Sequence, residues 1–201
     1  MKPTLSRICL CGSLLLLVPR AACAHLVDTR CGPFYDGFCH SFVTPTDLMI
    51  VLALALLAGF GGPAAGRRAL WSFFLSWTVG AVIGSIGLDR TFALPVLLLA
   101  GGSLVVSLLV AANVSCPMLL LGFLGLVIGC GLGLSNGAEF SSLKDGGLAL
   151  VGNGTCVLVL ATWVTALAVK SDQGWKRIVL RVAGSWIAAA SLLMIGWELR
   201  K

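Results

Sequence analysis

The 201-residue chain is 58% apolar by the AVILMFWYC count and only 11% charged, with 25 glycines, a formal net charge of +6 and a mean hydropathy of +1.01. Ordinary soluble domains carry about 25% charged residues, so this composition is that of a membrane protein with about six apolar spans and very little aqueous domain. It excludes an ATPase, a kinase or any large catalytic domain, and it gives no indication of nucleic-acid binding.

At the start of the chain Lys2 and Arg7 precede an apolar run from Ile8 to Val18, and Ala22, Cys23 and Ala24 follow. A basic start, a short apolar run and small residues in that order read as a secretory signal peptide, 1–24, cleaved before His25. The apolar run is too short for an uncleaved helix, and Arg20 disfavours a lipoprotein signal built on Cys23. Losing Lys2, Arg7 and Arg20 lowers the formal charge from +6 to about +3.

Segment 25–44 is expected to be a periplasmic, interfacial, metal-capturing stretch. Together with Asp47 just beyond, it gathers His25, Asp28, Cys31, Asp36, Cys39 and His40, including both histidines of the chain. Phe34, Phe38 and Phe42 recur every four residues, so a short amphipathic helix here has one aromatic face suited to the membrane surface. Asp36 and His40 have the same spacing. Their side chains meet on such a helix, either as a divalent-ion pair, as a carboxylate that orients the imidazole, or as an ordinary surface pair. His25, once freed at a new N-terminus, and the thiols of Cys31 and Cys39 extend the ligand set toward nickel, copper or zinc, unless the two cysteines form a disulfide. Asp47 has two readings. With Thr44 and Pro45 it fits a helix start, where a carboxylate favours the N-terminus, but the first span, 45–60, covers only about 24 Å, which would draw the acid inward as a cation site.

The remaining apolar stretches, about 45–60, 69–88, 92–112, 118–134, 148–169 and 178–197, are read as six transmembrane helices forming one domain, 45–201. The breaks fall at Gly61-Gly62-Pro63, Asp89-Arg90, Asn113 to Pro117, the polar stretch Ser135 to Gly147, and Lys170 to Arg177. Six spans after a cleaved signal place both mature termini outside, and Arg67, Arg68, Lys170, Lys176, Arg177 and Arg181 inside. Trp71, Trp175 and Trp197 near span ends fit interfacial anchors. Gly80 and Gly84, Gly125 and Gly129, and Gly133 and Gly137 have the spacing that lets helix backbones approach closely. Asn113, Asn153, Thr155 and Thr162 are expected to hydrogen-bond between helices, and Cys116, Cys130 and Cys156 to pack as small apolar residues.

Residues 32–59, GPFYDGFCHSFVTPTDLMIVLALALLAG, and 175–200, WKRIVLRVAGSWIAAASLLMIGWELR, resemble the HupE/UreJ family of hydrogenase and urease accessory membrane proteins. The resemblance implies a secondary permease for nickel, with cobalt as the alternative ion, feeding metalloenzyme maturation in a bacterial inner membrane. It matches His40 and Asp47 to the histidine and aspartate of the family's first-span motif. It also matches Glu139, in Asn136-Gly137-Ala138-Glu139, to the end of a later histidine-rich motif. The chain departs at Leu48, where classical members have a second histidine, and at Leu132, Leu134 and Asn136, which replace the later histidines. Glu139 has a plainer reading as a solvated carboxylate in the 135–147 loop.

Two functions therefore stand. One is a metal permease with Asp36, His40, His25, Cys39, Asp47 and Glu139 along the route, no resident cofactor, and an ion gradient or the membrane potential as energy source. The other is a non-transporting accessory subunit that packs against a metalloenzyme or metal-handling membrane partner. An enzyme is not expected, because the sequence has no nucleophile–base motif and both histidines precede the first span.

Overall fold

The computed structural model describes residues 29–86, 96–141, 145–171 and 174–200, so the expected signal peptide, His25 and Asp28 lie outside the described residues. Among the described residues there are seven helices and no strand: α1 (Pro33–Val43), α2 (Pro45–Phe60), α3 (Gly62–Ser85), α4 (Val96–Ala111), α5 (Met118–Phe140), α6 (Gly146–Lys170) and α7 (Gly174–Glu198).

Helix α2 is the axis of the bundle. Every residue from Ala53 to Gly59 is buried, and the helix touches α3, α4, α5, α6 and α7 along its length. Its first half packs Ile50, Val51 and Leu54 into a layer with Phe73, Trp77, Leu132 and Val157. Its second half packs Leu56 and Leu57 against Ala69, Val110, Leu121 and Ala168.

The most extensive helix contact among the described residues is between α3 and α5. A Cβ placed on Gly125, Gly129, Gly133 or Gly137 would collide with the backbone carbonyl of Ala69, Phe73, Trp77 or Ala81 respectively. The partners advance by four on both helices in the same direction, so α3 and α5 run parallel in constant register. Gly80 and Gly84 return the contact against the carbonyls of Cys130 and Leu134. The glycine pairs read from the sequence are thus one continuous seam. In lipid, where burying apolar side chains gives helices no preference for one another, this close backbone packing supplies the attraction.

The other contacts use the same means together with hydroxyl groups. Gly37 lies against the backbone of Ala149, and Gly152 against that of Phe34, joining α1 to α6. Thr165 donates to the Ala55 carbonyl at 3.2 Å between α6 and α2, and Ser191 donates to Ser103 at 2.9 Å between α7 and α4. At the Phe60 end of α2, the Arg177 guanidinium sits 3.3 Å above the Phe60 ring while its Nε donates to Asn113 at 2.8 Å. Trp71, Trp175 and Trp197 are all exposed.

Three helices, α5, α6 and α7, are long and apolar enough to cross a membrane singly. The bent pair of α1 and α2 passes the same test jointly, and α4 is a shorter apolar helix of 16 residues. Helix α3 has 24 residues but carries Ser72, Ser76, Thr78 and Ser85, whose hydroxyls bond to carbonyls one turn back. The structure therefore shows an all-helical protein with clear membrane-span helices, and α5 and α7 both extend beyond the stretches read from hydropathy.

Replacing Gly133 by valine should lower the thermal midpoint of the purified protein in detergent, with a loss of about 2–3 kcal/mol, because the side chain meets the Trp77 backbone, which cannot yield. Gly101→Ala, where an added Cβ meets nothing within 4 Å, should leave the midpoint unchanged or raise it. Equal effects from the two changes would refute the seam.

Candidate functional site

The chain turns sharply where Thr44 meets Pro45. Proline has no N–H to continue α1 and holds the residue before it extended, and Thr44 has φ −95° and ψ 94°. Pro45 then opens α2, and the two helix axes differ by 74°. This corner carries His40 on the last turn of α1 and Asp47 on the first turn of α2, both only 5% exposed.

The third group arrives from α5. Glu139 lies in the last turn of that helix, not in a loop, because α5 continues through Asn136 to Phe140. This corrects the solvated-loop reading. The stretch from Ser135 looks polar in sequence because Asn136 lines the buried corner. Glu139 Oε2 is 3.5 Å from His40 Nε2, and its side chain is 42% exposed. The Phe140 ring meets the His40 ring edge-on, with centroids 5.0 Å apart.

Around these three groups the polar contacts are specific. The Thr44 hydroxyl is 3.2 Å from His40 Nε2 and, although Thr44 stands at the start of α2 as its N-cap residue, its side chain makes no capping hydrogen bond. Thr46 donates to Asp47 at 3.3 Å, and Asn136 lies beside the same carboxylate. Next to His40 on α1, the buried Ser41 hydroxyl donates to Asn153 of α6, with Cys156 beside it. Asn153 Nδ2 is buried with no hydrogen-bond partner among the described residues.

Other residues expected at the site lie elsewhere. Asp36 accepts from the N–H and the hydroxyl of Thr29 at its own end of α1, instead of meeting His40. Cys31 and Cys39 are free thiols, and Cys39 stands near Cys156 on the α6 side. The aromatic stripe is present, with Phe34 and Phe38 centroids 6.5 Å apart and Phe38 and Phe42 centroids 6.3 Å apart. The fold therefore brings His40, Asp47 and Glu139 to one corner, a half-exposed carboxylate beside a buried imidazole with a buried carboxylate within electrostatic reach. Among the described residues no group of three or more His, Cys, Asp or Glu lies close enough together to hold a metal ion.

A sequence profile described as HupE / UreJ protein matches residues 13–194. The chain belongs to the HupE/UreJ family. No curated protein and no solved structure matches it. The family is associated with nickel and cobalt transport or with accessory roles. In this HupE/UreJ chain the two terminal sequence blocks form the α1–α2 corner and most of α7, and Asn136 and Glu139 reach the corner from α5.

Nothing in the sequence singled out Ser41 or Thr44 as partners of the site, since an isolated hydroxyl beside apolar residues has no distinctive pattern. Ser41→Ala should destabilise the protein by about 1–3 kcal/mol, by stranding the buried Asn153 carbonyl. Adding Asn153→Leu should recover part of that loss, a non-additivity readable from thermal midpoints in detergent; strictly additive losses would refute the pairing.

Proposed function

We propose that the protein is a secondary permease for a divalent transition metal ion, nickel or cobalt, supplying metalloenzyme maturation. The observation that carries this reading is the convergence of His40, Asp47 and Glu139, from three helices, on one end of the bundle, with exposure falling from Glu139 to the other two. An imidazole with carboxylates suits a borderline transition metal better than magnesium or calcium. His40 and Glu139, 3.5 Å apart and supported by the Thr44 hydroxyl, make a two-ligand site of moderate affinity, which a transported ion needs in order to leave again, and Asp47 is the next carboxylate within electrostatic reach.

Beneath the cluster, Ile50, Val51, Leu54, Trp77, Leu132 and Val157 close the way along α2. Passage therefore requires the helices to rearrange, and any uphill transport draws on a gradient or on the membrane potential, worth about 2.3 kcal/mol per charge per 100 mV. In this reading the site end faces the periplasm and the Arg67, Lys170 and Arg177 end faces the cytoplasm of a bacterial inner membrane, as a cleaved signal peptide implies. The alternative, a non-transporting accessory subunit in a complex with a metalloenzyme or metal-handling protein, draws on the small size of the ligand set.

Uptake of radiolabelled nickel into proteoliposomes, with cobalt, copper and zinc as competitors, separates the two. The wild type should show saturable uptake, and His40→Ala and Asp47→Asn at matched protein levels should each lower it by about ten-fold or more. Metal and proton compete for His40 Nε2, so uptake should fall as the pH on the Glu139 side is lowered. Folded protein that takes up no metal above empty liposomes would overturn the permease and leave the accessory subunit.

A further inference from the structure

At the end of the bundle opposite His40, two grooves lie side by side on the outer surface. The larger, about 670 Å³, runs between α3 and α6 from Pro63 and Arg67 to Leu70 and Trp163. The smaller, about 350 Å³, runs between α6 and α7 past Trp175, Lys176 and Val179. They share one wall, because Leu167 and Lys170 line both.

The floor of the larger groove is fixed where Gly66 lets α3 approach Thr165 of α6; a Cβ on Gly66 would stand 2.9 Å from the Thr165 methyl group. Its walls are otherwise apolar, with Trp163 and Leu167 both more than half exposed. From Trp163 to Lys170 the groove follows about 10 Å of helix, so it reaches from the apolar zone to the polar end of α6. At that polar end Lys170 stands between Arg67, which lines the larger groove, and Lys176, which lines the smaller. Among the described residues none of these three cations is paired with a carboxylate.

We propose that this paired groove binds one two-chain anionic phospholipid, with its phosphate at Lys170 between Arg67 and Lys176 and one acyl chain in each groove. The geometry matches the chemistry of such a molecule: two mainly apolar grooves share Lys170 at the polar end of α6, with Arg67 lining one and Lys176 the other. Basic pockets between transmembrane helices hold anionic headgroups in this way, and each lysine or arginine close to the headgroup is worth about a five-fold change in affinity. A zwitterionic lipid fills the channels equally well but gains little from three cations. A transmembrane helix of a protein partner presents one ridge, not two chains joined at a charged head.

The test uses the purified full chain in detergent, with retained lipid counted by native mass spectrometry. Dioleoyl phosphatidylglycerol should be retained as one molecule, about five-fold or more tightly than dioleoyl phosphatidylcholine. Lys170→Gln should weaken phosphatidylglycerol by about five-fold, whereas Arg200→Gln, an exposed basic residue at the other end of the bundle, should have no effect. Single-chain lysophosphatidylglycerol should bind more weakly than the two-chain lipid, and glycerol phosphate should not displace it. An unchanged thermal midpoint without added lipid shows that Lys170→Gln is folded. Equal retention of the two headgroups, equal effects of Lys170→Gln and Arg200→Gln, or displacement by glycerol phosphate would each overturn the proposal. So would retention of a co-purified protein in place of lipid. The readout does not involve metal uptake, so failure of the permease reading leaves it standing.

Discussion

The parallel seam between α3 and α5 determines where everything else in this protein can sit. Four successive glycines on α5 each rest on a carbonyl of α3, one turn apart, and Gly80 and Gly84 close the contact from the other side. Such a contact fixes rotation as well as distance, since turning either helix by one residue would push side chains into backbone. Because α5 cannot rotate, Asn136, Glu139 and Phe140 at its far end must face the corner between α1 and α2. The polar site is positioned by glycines that never touch it.

A second constraint operates at that corner. Pro45 ends one helix and starts another, and the 74° change of direction carries α1 across α6, where Gly37 and Gly152 allow backbone contact. His40 and Asp47, seven positions apart in sequence, are thereby placed on different helices around one site instead of two turns apart on one. The Thr44 hydroxyl, freed from capping, is available to His40 Nε2. The rest of α2 is wrapped on all sides, which separates this polar end from the basic end by a packed apolar layer.

Much of the architecture was legible in the sequence because membrane insertion constrains composition so strongly. The helix 45–60 was bounded by its own proline and glycines, the Phe34, Phe38 and Phe42 stripe announced α1, and the glycine spacing announced close packing. Individual polar contacts were less legible. The i, i+4 spacing of Asp36 and His40 suggested a pair, yet Thr29 supplies Asp36 with two donors and Glu139 takes the imidazole. Glu139 read equally well as a loop residue, because a helix that lines a polar corner loses the apolar character by which a span is recognised.

By itself the sequence determined that this chain is helical and membrane-embedded, which residue types carry its chemistry, and where the apolar helix 45–60 begins and ends. Hydrocarbon leaves backbone groups no other partners, and so these features follow from local composition. Only the tertiary structure decided that Glu139 joins His40 while Asp36 does not, that the glycine pairs form a single seam, and that Lys170 stands between two grooves. Each depends on the relative rotation of helices far apart in the chain, which backbone contact at glycine sets and no local pattern encodes.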